Sequence, residues 1–153
     1  MQRSIRCPNH FLDIISVWIY DFIKEVFMKL IFYATADGKS PALEVIRNLD
    51  RSDRAKIFGC LESIELLGFD TPRVDFRHIE GKLWEIKIKT VSGGYRIFYV
   101  AIQKSTLVLL HAYKKQSQKA PEREIKTAMK RLKEVLDNDA DYIEKSDFGR
   151  IKR

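Results

Sequence analysis

Basic and aromatic residues are concentrated in two stretches of the chain. The first is "LWEIKIKTVSGGYRIFYV", residues 83–100, and the second is "HAYKKQSQK", residues 111–119. Arg96 lies inside a run of aromatic and aliphatic residues, and burying an isolated charge is costly unless it is paired or binds something. A cationic cluster favours an anionic partner. The candidate binding and catalytic residues in these stretches are Lys87, Lys89, Tyr95, Arg96, His111, Tyr113, Lys114, Lys115 and Lys119.

Other catalytic patterns are absent from the sequence. There is no GxxxxGK phosphate loop, no pair of histidines at metal-ligand spacing and no GxSxG nucleophile turn. Cys7 and Cys60 have neither the spacing of a metal site nor the density of a disulfide scaffold, so we expect free thiols in a reducing cytoplasm. No metal or cofactor is expected.

The candidate residues must be positioned by a β-sheet. Apolar and polar residues alternate in "LWEIKIKT", and "YRIFYVA" is predicted to be its antiparallel partner across "VSGG". "RVDFRHI" precedes them as a possible edge strand, and "STLVLLHAY" follows as the next strand. In antiparallel neighbours the basic positions can converge near one end of the sheet.

The remaining elements are one strand and three helices. "KLIFYA" is typical of a short strand, and helices are predicted to begin after Ser40, at Ser52 and at Pro121. This order predicts a small α+β domain whose antiparallel sheet has helices packed on one face. The other face is expected to be free for a ligand.

The ends of the 153-residue chain differ from its middle. Residues 1–27 contain the apolar stretch "FLDIISVWIYDFIKEVF", which four charged residues interrupt, so it predicts a packed or partner-binding helix rather than a membrane span. Since "MKLIFYATADGKSP" is a natural protein start, residues 1–27 are interpreted as an extension outside the domain of residues 28–136. Residues 137–153 have mixed charge and are expected to form a flexible tail.

The joint pattern of "LWE", "YRIFY", "LLHAYKK" and "KAPEREI" resembles the RelE/HigB superfamily of toxins from type II toxin–antitoxin systems, in its phage-related branch. The resemblance implies a microbial ribonuclease-like fold and a metal-independent endoribonuclease that cuts mRNA, in many members on the ribosome. The reaction transfers the phosphodiester to the neighbouring 2′-hydroxyl. The implied partners are mRNA and an antitoxin, commonly a helix-turn-helix protein.

The resemblance also implies roles for individual residues. Arg96 would hold the scissile phosphate and stabilise the phosphorane, and Lys87 and Lys115 would be catalytic. The terminal tyrosine of RelE has no counterpart in "QSQKAPEREI", so His111 or Tyr113 would replace it, His111 as general acid or base. Substrate would be bound by Lys89, Tyr95, Tyr113, Lys114 and Lys119.

Several alternatives stay open at this point. Arg96 could form a salt bridge with Glu85 or Asp75, and His111 could be a core histidine. The lysines after the last strand could be solvated or could dock an acidic antitoxin segment. The rival functions are a ParE-like toxin that inhibits DNA gyrase and a non-catalytic phage-derived protein that binds nucleic acid.

Overall fold

A computed structural model describes residues 13–19, 22 and 27–147 of the chain. The sheet strands and the helices follow the predicted order, with one additional helix at the end. The elements are β1 (Lys29–Phe32), α1 (Pro41–Arg47), α2 (Arg51–Leu67), a 3-10 turn (Gly68–Asp70), β2 (Val74–Glu80), β3 (Leu83–Thr90), β4 (Gly93–Gln103), β5 (Thr106–Lys114), α3 (Glu122–Asp137) and α4 (Asp139–Asp147).

The five strands form one sheet in the order β1-β5-β4-β3-β2. Strands β2 to β5 are an antiparallel meander, as predicted, and β2 is an edge strand. β1 pairs with β5 in parallel, with Lys29 opposite Thr106. The α+β class is therefore confirmed.

The prediction that helices cover only one face of the sheet is corrected, because helices pack on both faces. On the first face, α1 and α2 bury Ile46 and Ile57 against a cluster that includes Ile97 of β4. On the second face, α3 buries Leu132 against a cluster that includes Phe98, the next residue of β4. We call these the α1/α2 face and the α3 face. No whole face is left free.

The sequence contains the reason for this correction. "RIFYV" in β4 and "LVLL" in β5 are continuous apolar runs, and such runs are typical of strands buried on both sides. Apolar and polar residues alternate in β3, where Ile86 and Ile88 are buried and Lys89 is exposed, and in the first part of β2. One part of the α3 face remains polar, and this part contains the candidate site.

Helix α4 lies inside the segment predicted to be a flexible tail. Its residue Tyr142 is buried, and the Tyr142 hydroxyl lies 3.4 Å from the backbone nitrogen and oxygen of Ala34. Among the side chains of α4 that the structure describes, Tyr142 is the buried one, and it packs the helix against the end of β1. Residues 148–153 lie outside the described residues.

The structure describes only part of the N-terminal extension. Residues 13–19 and 22 are helical, and Val17, Trp18 and Phe22 are more than half exposed. Among the described residues no helix has both the length and the apolar character needed to cross a membrane.

Asp53 connects α2 to the turn between β3 and β4. Its side chain is buried and accepts hydrogen bonds from the hydroxyls of Ser92 and, at 2.9 Å, Tyr95. The Ser92 hydrogen bond is the main cause that lowers the pKa of Asp53 below its ordinary value, with help from Thr90 and Tyr95 and against the effect of burial. Ionised Asp53 therefore stabilises the fold.

This lowered pKa predicts a loss of stability in acid. Because the pKa of Asp53 is lower in the folded chain, its contribution is present above its unfolded pKa, about 4, and is lost as the pH falls through the folded value. Urea unfolding of the wild type and Asp53→Asn should give stabilities that differ at pH 7 and approach each other as the pH falls below about 4. A constant difference between the two proteins over this range would contradict the role of the charge.

Candidate active site

A β-bulge in β5 determines which residues meet on the α3 face. Phe98 of β4 is opposite His111, whereas the next residue, Tyr99, is opposite Leu109, so Leu110 is the extra residue. Both Leu110 and His111 consequently lie on the α3 face. After the bulge, Tyr113 is directly opposite Arg96.

Arg96 forms a buried ion pair with Glu85 of β3. The Arg96 Nε atom lies 3.2 Å from Glu85 Oε1, and the two side chains are 3% and 0% exposed. The sequence analysis left two acidic partners open for Arg96, and the structure shows the one on β3, Glu85. Burial raises the pKa of Glu85 above its ordinary value, and the neighbouring Arg96, followed by Lys87, Arg77 and Lys115, opposes that rise.

The hydrogen bonding of this ion pair is incomplete. Both carboxylate oxygens of Glu85 and the Nε and Nη1 atoms of Arg96 are buried without a hydrogen-bond partner, since the 3.2 Å contact lacks hydrogen-bond alignment. Only Nη2 of Arg96 donates, to the carbonyl of Gln118 at 2.7 Å and to that of Ser117 at 3.4 Å. The loop between β5 and α3 thus covers Arg96 with its own backbone.

Lysines surround the ion pair on the same face of the sheet. Lys87 is opposite Arg96 in the β3–β4 register, and Lys89 is opposite Gly94. A Cβ atom added at Gly94 would lie 3.4 Å from Cδ of Lys115, so this glycine leaves room for the lysine side chain. Lys115 also donates from Nζ to the Gln118 side chain at 3.3 Å. The excess of positive charge suits an anionic ligand.

His111 is held between two side chains of α3. Nη1 of Arg131 donates to Nδ1 of His111 at 3.0 Å and to the Leu110 carbonyl at 2.9 Å. Since Nδ1 accepts, Nε2 carries the proton and donates to Glu124. His111 is therefore a largely buried imidazole with a fixed tautomer and with both ring nitrogens hydrogen-bonded.

Tyr113 joins the ion pair to the histidine. Its ring stacks on that of His111, with centroids 5.9 Å apart, and tilts against Phe98 at 5.5 Å. Its hydroxyl is buried and makes no well-aligned hydrogen bond, although the Arg96 guanidinium is close enough to act on its pKa. Burial, followed by the charge of Glu85, raises the pKa of Tyr113, so the hydroxyl keeps its proton at neutral pH.

Tyr95 and Lys114 are not brought to this site. Tyr95 is a buried core residue of the α1/α2 face, so the base-stacking role predicted for it is corrected. Lys114 is opposite Tyr95 in the register and hydrogen-bonds Ser92 at 3.3 Å, also away from Arg96. Lys119 is exposed on the covering loop. The structure brings together Lys87, Lys89, Arg96, His111, Tyr113 and Lys115.

Three residues of the site were not singled out as functional by the sequence analysis. Glu85 appeared only as a possible partner of Arg96, and Glu124 and Arg131 were not considered. The alternation in "LWEIKIK" does place Glu85 on the same face as Lys87, and that was the available signal. No spacing rule connects α3 to His111, because the contact depends on tertiary packing.

Comparison with known proteins gives one family. The family model described as "Phage derived protein Gp49-like (DUF891)" matches residues 44–133, which is more than half of the 153-residue chain. This range contains all of the residues that the structure brings together at the site. No curated protein matches the chain. The chain belongs to the Gp49-like family of phage-derived proteins.

Proposed function

We propose that the protein is the toxin of a type II toxin–antitoxin system and that it cleaves mRNA without a metal ion. The observation that carries this proposal is the buried Arg96–Glu85 pair with unfilled hydrogen-bonding capacity, beside an oriented histidine and a protonated tyrosine. A purely structural ion pair is normally completed by hydrogen bonds, because buried polar groups without partners are costly. A phosphate could use the vacant donors of Arg96.

The chemistry proposed is transfer of the phosphodiester to the adjacent 2′-hydroxyl. The 2′-oxygen attacks phosphorus, the bond to the 5′-oxygen breaks, and the products are a 2′,3′-cyclic phosphate and a 5′-hydroxyl. Arg96 stabilises the charge that develops on the phosphorane, and Lys87 and Lys115 add to this stabilisation. Guanidinium groups suit this role because they donate two parallel hydrogen bonds to phosphate.

Proton transfer in this reaction needs an acceptor and a donor. We assign the acceptor to Glu85, because burial raises its pKa and makes its carboxylate a stronger base than an exposed one. We assign the donor to the Tyr113 hydroxyl, which keeps its proton at neutral pH, would give it to the leaving 5′-oxygen and would recover it from solvent. His111 would act as an acid only after it takes up a second proton, and Glu124, which accepts from Nε2, would then stabilise the imidazolium.

Substrate must displace the loop that covers Arg96. The carbonyls of Ser117 and Gln118 occupy Nη2 of Arg96, and a phosphate oxygen would compete for the same donor. The exchange is favourable because a charged phosphate accepts a stronger hydrogen bond than a neutral carbonyl. The proposed partners are mRNA, on the ribosome, and a helix-turn-helix antitoxin, and Lys114 and Lys119 are available to dock an acidic antitoxin segment.

The test is brief induction of the full chain in bacterial cells, followed by mapping of mRNA 5′ ends and analysis of their chemistry. We expect new 5′-hydroxyl ends inside translated frames. The double variant Lys87→Ala/Lys115→Ala should reduce cleavage roughly tenfold or more, because two cations near the reacting phosphate are lost.

The matched control is Lys82→Ala/Lys104→Ala, which removes two exposed lysines from the turns at β2–β3 and β4–β5. This variant should cleave like the wild type. Growth arrest with intact messages would contradict the proposal and favour a bound target such as gyrase. Equal losses in both double variants would show only a general effect of charge.

A further inference from the structure

The outer edge of β2 has no partner strand in the part of the chain that the structure describes. β2 runs for seven residues, and its other edge pairs with β3. Asp75 and Arg77 are exposed and form no ion pair among the described residues. An unpaired edge presents backbone donors and acceptors to any strand that can align with it.

We propose that β2 pairs with β2 of a second copy of this chain, antiparallel and about a two-fold axis at Phe76. The two five-stranded sheets would then form one continuous sheet across the dimer. This proposal does not depend on the catalytic activity proposed above.

The charges on β2 favour this register. In a two-fold antiparallel pair centred on Phe76, Asp75 of each copy is directly opposite Arg77 of the other, which gives two opposite-charge pairs on the α3 face. Centring the pair on Arg77 would place two arginines opposite each other, and centring it on Asp75 would do the same for two aspartates. Opposite charges directly across an antiparallel pair stabilise it, and like charges destabilise it.

The neighbouring strand extends the same pattern. Within one copy, Asp75 is opposite Lys87 and Arg77 is opposite Glu85 in the β2–β3 register. In the proposed dimer, a row across the sheet would therefore read Lys87, Asp75, Arg77 of the partner and Glu85 of the partner. Opposite signs alternate along the whole row, so each new pair has favourable neighbours on both sides.

An exposed aromatic surface on the other face of the sheet supports the same axis. On the α1/α2 face, the Phe69 ring packs edge-on against Phe76 at 5.0 Å, and Phe69 itself is 53% exposed. Trp84 is also exposed, and the centroid of its ring lies 5.0 Å from that of the His78 ring. The two-fold axis at Phe76 would bring the two Phe76 side chains together and cover the Phe69 rings. Contiguous exposed apolar surface of this kind is typical of an interaction site.

The first test is sedimentation velocity of the full chain over a range of concentrations. The wild type should dimerise reversibly. Asp75→Arg alone and Arg77→Asp alone should each raise the dissociation constant about tenfold or more, because each change converts both attractive pairs into repulsive ones. The double variant Asp75→Arg/Arg77→Asp should dimerise more tightly than either single variant but less tightly than the wild type, because it restores both pairs between the copies and places like charges opposite Lys87 and Glu85 within each copy. Circular dichroism checks that each variant is folded.

The second test measures the register by disulfide cross-linking. In a chain with Cys7→Ser and Cys60→Ser, a cysteine introduced by Phe76→Cys would be opposite its own counterpart and should form a linked dimer under mild oxidation. Asp75→Cys in the same chain should not, since its counterpart is residue 77. A folded monomer at all concentrations would overturn the proposal and leave the edge to another strand-donating protein. A dimer indifferent to charge reversal would also overturn it and would indicate association through exposed apolar residues outside β2, such as Val17, Trp18 and Phe22.

Discussion

Substitution of Arg96 by lysine should lower the rate of RNA cleavage about 100- to 1,000-fold, which is the range for losing one preorganised donor from a site that stabilises developing charge. Lysine keeps the positive charge beside Glu85, so the ion pair survives. It loses the planar fork, and with it the vacant Nη1 donor and the geometry for two parallel bonds to phosphate. Initial rates on a defined RNA, with and without ribosomes, measure the effect.

Arg51→Lys is the matched control for this prediction. Arg51 is exposed at the start of α2, away from the α3 face. This variant should cleave RNA at the wild-type rate. If Arg96→Lys retained full activity in a folded protein, Arg96 would act only as a buried positive charge, and its proposed contact with the scissile phosphate would be wrong.

Replacement of Arg96 by alanine should destabilise the fold by about 3–5 kcal/mol, because it leaves the buried Glu85 carboxylate without its counter-ion. The loss should be smaller at lower pH. Burial already raises the pKa of Glu85, and removal of Arg96 removes the main influence that opposes the rise. Protonation of Glu85 in the folded variant therefore restores stability as the pH falls towards the unfolded value, about 4.3. Urea unfolding at pH 8 and pH 6 measures both effects.

A double variant separates loss of the pair from loss of one partner. Glu85→Leu/Arg96→Met fills the same space with apolar side chains and should recover most of the stability lost by Arg96→Ala. If the double variant were as unstable as the single one, the deficit would come from lost packing rather than from an unpaired charge. Neither variant should cleave RNA. Toxicity assays with Arg96→Ala alone therefore need a check that the protein is folded.

Local patterns in the sequence were sufficient to predict the strands and the main helices. Period-two alternation identifies β3, and Pro41 and Pro121 mark the starts of α1 and α3. These features depend on neighbouring residues alone. The alternative partner considered for Arg96, Glu85, is the one that the structure shows, because the two residues are on the same face of adjacent strands.

Other features could not be predicted because they depend on long-range packing. The bulge at Leu110 changes which side chains after it share a face, and no local signal marks it. If simple alternation is continued along β5 without allowing for the bulge, Tyr113 and Lys114 are assigned to the wrong faces of the sheet relative to Arg96. Tyr95 illustrates the same limit, since a tyrosine beside a Gly-Gly turn is exposed unless a distant group, here Asp53, binds its hydroxyl.

The parallel pairing of β1 with β5 has a consequence for how the chain folds. Strands β2 to β5 are joined by short turns and can assemble from successive hairpins. By contrast, β1 pairs with a strand far along the chain, with Lys29 opposite Thr106. Contacts so distant in sequence carry a large loop-closure cost and form slowly. During synthesis, Leu30 and Phe32 emerge well before their β5 partners, so we expect β1 to dock last, completing a sheet whose meander is already formed.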